Sequence, residues 1–146
     1  GIGLGGVSVG EKGHGANGIG KLYGGDKRNR IRQEILLGVG GVQLLEELDM
    51  RPTAVHMNEG HSAFLGLERI RNMLKEHPEL DFWQARDICA PGNVYTIHTP
   101  VPAGIDRFPR ELIERYFSGW AAECGTTIDE LRGHRYAGGN CSAYAW

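Results

Sequence analysis

Two short stretches hold most of the side chains that could do chemistry. They are Asn58-Glu59-Gly60-His61-Ser62 and His98-Thr99-Pro100. Each follows a short apolar-rich run that suits a buried strand, Thr53–Asn58 and Asn93–Thr99. In open α/β sheets, ligands bind beyond the carboxyl ends of the strands. Placed side by side, the two ends would offer a carboxylate, two imidazoles, an amide and two hydroxyls to one crevice. That set suits hydrogen bonding to a hydroxyl-rich ligand, and it lacks a cationic clamp for phosphate.

Each residue also has a plainer reading. Glu59, taken alone, reads first as a carboxylate favouring the positive end of the helix that follows. His61 reads equally well as a first-turn surface residue, and His98, ending an apolar strand, as a satisfied core histidine. His56, Glu59 and His61 lack the HExxH spacing that sets two metal ligands on one helical face, so no metal is expected. Ser62 has no GxSxG elbow around it. Gly1 to Gly6 spell GxGxxG, but no strand precedes them and no convincing helix follows. Lys27, Arg28, Arg30 and Arg32 read as a solvated basic face. Phe82, Trp83, Tyr116, Phe117 and Trp120 read as core.

The elements that must position these ends follow from periodicity and punctuation. Asp26 caps a helix to about Leu48, with Ile31, Ile35, Leu36, Val39, Val42, Leu45 and Leu48 on one face. Gly38, Gly40 and Gly41 interrupt it, so either the helix is weak there or another backbone packs close. A second helix runs from Ala63 to His77, with Phe64, Leu67, Ile70, Met73 and Leu74 on one side. Asp81 caps a short helix through Cys89. Pro91-Gly92 is a turn, and the segment Pro100–Gly104 cannot continue a sheet. Pro109 opens a helix to about Glu123. Thr127 and Glu130 spell a capping box. The order helix, strand, helix, helix, strand, helix, helix argues α/β with parallel strands. Two strands are too few for a stable doubly wound sheet, so part of the sheet is expected to lie outside this chain.

Composition bounds the rest. The 146 residues suit one domain. Sixteen basic and 18 acidic residues leave a net charge of −2, which gives no warrant for nucleic acid or an anionic membrane. No apolar run reaches the roughly 18 residues of a spanning helix. Cys89, Cys124 and Cys141 are odd in number and form no CxxC pair, so a reducing cytoplasm is the expected compartment. Of 23 glycines, 11 fall within the first 25 residues. Residues 1–21 are expected to be a disordered or out-of-frame flank, and 134–146 an irregular one, around an α/β domain at 22–133.

Read together, several stretches resemble the α-glucan phosphorylases, the glycogen, starch and maltodextrin phosphorylase family. The carrying motifs are Leu22-Tyr23-Gly24-Gly25-Asp26, Arg30 to Val42, His56 to Phe64, Leu67 to Arg71, and Tyr95 to Gly104 with Asp106-Arg107-Phe108. The resemblance implies an incomplete Rossmann-like half of a GT-B type glycosyltransferase. It implies phosphorolysis of terminal α-1,4 bonds of a glucan by inorganic phosphate, releasing glucose 1-phosphate. It implies pyridoxal phosphate in the full-length enzyme, on a lysine in the other half that this chain lacks. His98 matches the histidine whose carbonyl and imidazole contact the glucosyl unit and help stabilise a cation-like transition state. Thr99 follows it into the pocket, and Glu59 and His61 match a carboxylate and histidine lining it. Animal-type members carry Asp-Thr-His in place of Glu59-Gly60-His61. Asn58 is expected to hold the turn. Both flanks lose the likeness abruptly, which raises the expectation of a truncated or frame-shifted reading of a longer gene, inactive alone. The competing expectations are a non-catalytic glucan-binding module, a nucleotide-binding domain resting on Gly1–Gly6, and an unfolded fragment. Preferred glucan, allosteric control and oligomeric state are not legible.

Overall fold

The computed structural model describes residues 25–98 and 106–131. The two flanks, the GxGxxG stretch, Cys141, Thr99 and the Pro100–Gly104 segment lie outside the described residues. Helices α1 (Lys27–Glu47), α2 (Leu65–Glu76), α3 (Phe82–Cys89), α4 (Arg110–Glu123) and α5 (Ile128–Leu131) surround strands β1 (Val55–Asn58) and β2 (Asn93–Thr96). The strands pair in parallel, Val55 opposite Asn93 through Asn58 opposite Thr96. The predicted element order and strand direction are therefore observed. β2 is shorter than expected, ending at Thr96, and the described sheet has two strands.

The boundaries follow from the expected caps. Asp26 accepts from the Asn29 N–H at 2.9 Å. Asp81 and Gln84 form a reciprocal capping box at α3, and Thr127 and Glu130 do the same at α5. Pro109 sits one residue earlier than expected, at the N-cap of α4 rather than in its first turn.

One core gathers Ile31, Ile35 and Val39 of α1, Phe64 and the α2 residues Leu67 and Ile70, Phe82 of α3, and Phe117 and Trp120 of α4. Phe64 stacks on Phe117 with centroids 4.7 Å apart, and Phe82 meets Trp120 edge-on at 6.1 Å. Two expectations are corrected here. The buried face of α1 is narrower than its apolar pattern, leaving Leu36 48% and Leu48 60% exposed. Trp83 lies at the surface, where Arg86 stacks over its ring.

The glycines of α1 divide. The helix is continuous through all three. At Gly38 an added Cβ would stand 2.6 Å from the Leu65 nitrogen and 2.9 Å from the Ser62 oxygen. The main chain of the Glu59–Ser62 turn thus presses directly on α1, which any side chain at 38 would prevent. Gly41 meets nothing within 4 Å. Close backbone approach accounts for the first and not the second.

Candidate functional site

β1 ends at Asn58 and the chain turns at once into a single 3-10 turn, Glu59–Ser62. Glu59 takes φ 52°, the left-handed region that a side chain enters only at a cost. Its buried carboxylate reaches beyond the turn, and Glu59 Oε1 accepts the backbone N–H of His98 at 2.9 Å, across 39 residues of sequence. The two strand ends expected to share a crevice are joined by that bond. His98 is exposed rather than a core histidine, and its main chain is the part held.

His61 Nε2 lies 3.7 Å from Glu59 Oε2, and its Nδ1 faces Arg30 Nη2 at 3.2 Å. A guanidinium can only donate, so Nδ1 accepts and the neutral ring carries its hydrogen on Nε2, toward Glu59. Partial burial, then the nearby Arg30 charge, push the His61 pKa below its usual value. His61 is thus a neutral imidazole at pH 7, able to donate to an oxygen placed between it and Glu59.

Asn58 is exposed at the N-cap of the turn, and its side chain makes no capping hydrogen bond. The Gly38 contact and the Glu59–His98 bond hold the turn. His56 faces away and hydrogen-bonds Thr96 across the strands. Among the described residues no group of three or more His, Cys, Asp or Glu side chains could hold a metal. Cys89 and Cys124 are buried free thiols, and burial pushes the Cys124 pKa up to about 12, which makes it unreactive.

The basic cluster opening α1 divides: Lys27 and Arg28 are exposed and Arg32 half-buried, as a solvated face requires, but Arg30 is not. Arg30 is buried and donates to Asp106 through Nε at 3.1 Å and through Nη2, and to Glu34 Oε1 at 3.3 Å. Lys27 Nζ reaches Asp106 Oδ1 at 3.0 Å. Arg30 joins these residues to His61. The i, i+4 spacing of Arg30 and Glu34 is a local signal for their pairing. Asp106, 76 positions away, has none. A cavity of about 240 Å³ lined by Val42, Met50, Arg69 and Cys89 lies at the opposite, amino end of β1.

The fold and this geometry define an α/β protein with a cluster of polar side chains at the carboxyl ends of two parallel strands. Its sequence places it further. The chain is 50% identical over 101 residues to glycogen phosphorylase of Mycobacterium tuberculosis H37Rv, covering 66% of this chain and 12% of that protein. It is 44% identical over 94 residues to maltodextrin phosphorylase of Thermococcus litoralis, covering 64% and 11%. It is 35% identical over 97 residues to glycogen phosphorylase of Aquifex aeolicus, covering 66% and 14%. No family model matches the chain. The matched segment is homologous to glycogen and maltodextrin phosphorylases, as the sequence motifs implied. The chain spans about 12% of the length of the first relatives it matches.

Proposed function

We propose that this chain carries the glucosyl-contacting segment of a GT-B type α-1,4-glucan phosphorylase, working in the cytoplasm with α-1,4-glucan and inorganic phosphate as substrates. The observation that carries the reading is the Glu59 carboxylate holding the backbone N–H of His98 at 2.9 Å. That bond fixes the His98 main chain at the strand ends. Its imidazole and carbonyl then meet the glucosyl ring, where positive charge develops as the glycosidic bond breaks. A preorganised dipole aimed at such charge is worth about 3 kcal/mol in a water-excluded site. His61 and Glu59 take the sugar hydroxyls, one as donor and one as acceptor. Asn58 lies beside them and Thr99 one residue beyond His98.

Pyridoxal phosphate, expected in the full-length enzyme, finds no holder among the described residues. A Schiff base needs an amine at the site, and the nearby lysine, Lys27, is bound to Asp106. The phosphate-gripping groups are likewise expected elsewhere in a complete enzyme, so this chain alone is inactive.

The test is a graft. Residues 25–131 replace the homologous segment of the Mycobacterium tuberculosis relative, and glucose 1-phosphate release from maltodextrin and phosphate is measured. The chimera is expected to retain activity and lose about 100-fold in kcat with His98→Ala. An active chimera indifferent to His98→Ala would sink the reading. Phosphorolysis by the isolated chain would overturn the claim that it is inactive alone.

A further inference from the structure

Glu34 is 1% exposed, and its carboxyl lies within hydrogen-bonding reach of Asp106. Both carboxyls converge on one nitrogen, Arg30 Nη2. Asp106 is well supplied, taking Arg30 on one oxygen and Lys27 on the other. Glu34 is not. Its Oε1 takes a 3.3 Å bond from Arg30, and its buried Oε2 accepts from no donor. An ionised Glu34 would therefore be a desolvated charge with an empty oxygen beside a second carboxylate. A protonated one has a hydrogen to donate and an acceptor in reach.

From this arrangement we infer that Glu34 is a positioning residue that carries a proton and donates it to Asp106, tying the segment after β2 to α1. The consequence is geometric. His98 is pinned by Glu59, and Asp106 by Glu34, Arg30 and Lys27. Two carboxyls thus hold His98 and Asp106 in place. The charged groups facing Glu34 agree with a retained proton. Burial is the largest effect and the adjacent Asp106 the next, and both outweigh Arg30 and Lys27, pushing the Glu34 pKa up to about 8. Burial opposes the charge on Asp106, but Arg30 and Lys27 prevail and hold its pKa below the usual range. His61 meets the group at Arg30 and also faces the Asp106 charge. The inference is independent of the function proposed above.

The sign of the linkage follows. A carboxyl whose folded pKa is raised stabilises fully below its unfolded pKa of 4.5, and that stability is lost as pH rises toward about 8. The experiment is urea unfolding of the chain at pH 5 to 9, wild type against Glu34→Gln and Asp106→Asn. The Gln amide can donate to Asp106 and accept from Arg30, but it does not titrate. The folding constant of the wild type, relative to Glu34→Gln, is expected to fall by up to about tenfold per pH unit below 8 and level off above it. Asp106→Asn removes the adjacent negative charge and is expected to bring the levelling to lower pH. A ratio flat across this range means that Glu34 only packs, and overturns the inference. So does a Glu34→Gln chain that fails to fold, an inflection unmoved by Asp106→Asn, or a wild type without a cooperative transition.

Discussion

Two buried arginines in this molecule each face two carboxylates, and the outcomes differ. Arg30 meets Glu34 and Asp106 beside His61. Arg71, on α2, meets Glu68 one turn earlier and Glu123 of α4, away from the strand ends. The difference lies in donor supply. Glu68, fully buried, accepts from Arg71 and also from Gln43 of α1, at 2.9 Å. The second carboxylate on Arg71, Glu123, reaches solvent. Glu34 has no such second donor, and its neighbour Asp106 is close enough to share a proton. A buried carboxyl that shares its one donor with a second carboxyl is driven to hold a proton. Around Arg71 the electrostatic cost falls on the rim, where partial burial and then Glu68 raise the pKa of Glu46.

The largest effect expected from this comparison is at Arg71. Arg71→Leu leaves Glu68 buried with Gln43 as its remaining neutral donor. Breaking a buried pair from one side costs about 3–5 kcal/mol. Urea denaturation at pH 7 should show that loss, with α2 and α4 losing their shared tie. A loss below about 1 kcal/mol would mean that the cluster is hydrated in solution, as exposed pairs are.

Arg30→Leu should cost less, about 2–3 kcal/mol, although Arg30 makes more contacts. Glu34 already sheds its charge by protonation, and Asp106 keeps Lys27 and some solvent. The same variant frees His61 Nδ1, and loss of the Arg30 charge should move the His61 pKa upward toward its ordinary value. Proton NMR of the imidazole reads this shift directly. A larger stability loss at Arg30 than at Arg71 would reverse the comparison.

Much of the framework was legible because its signals are local. Asp26, Asp81 and Thr127 cap within one turn of themselves, and each boundary lies where they predicted it. The meeting of the two strand ends was legible too, since both carry polar residues and parallel strands point the same way. The charge clusters were not. Arg30 and Asp106 stand 76 positions apart, and nothing in the spacing around either announces the other. A run of four basic residues within six positions reads as a solvated face until the fold sets a carboxylate against it. Glu59 misled for a related reason. A carboxylate at a helix start has a sufficient local role, and its long-range bond to the His98 main chain leaves no mark on side-chain pattern. α1 misled in the opposite direction. Its apolar residues at 36 and 48 fit the helical period, yet the described residues place nothing over them.

The smallest effect tests donor supply itself. Gln43→Leu leaves Arg71 in place and removes the second donor of Glu68. Glu68 then resembles Glu34, with one guanidinium bond and an acidic neighbour in Glu46. The cost at pH 7 should be about 1 kcal/mol, the net worth of one hydrogen bond to a carboxylate that keeps its main partner. Urea unfolding at pH 7 measures it. A deficit indistinguishable from zero would mean that Arg71 alone satisfies Glu68, and the contrast with Glu34 would then rest on Asp106 rather than on the number of donors.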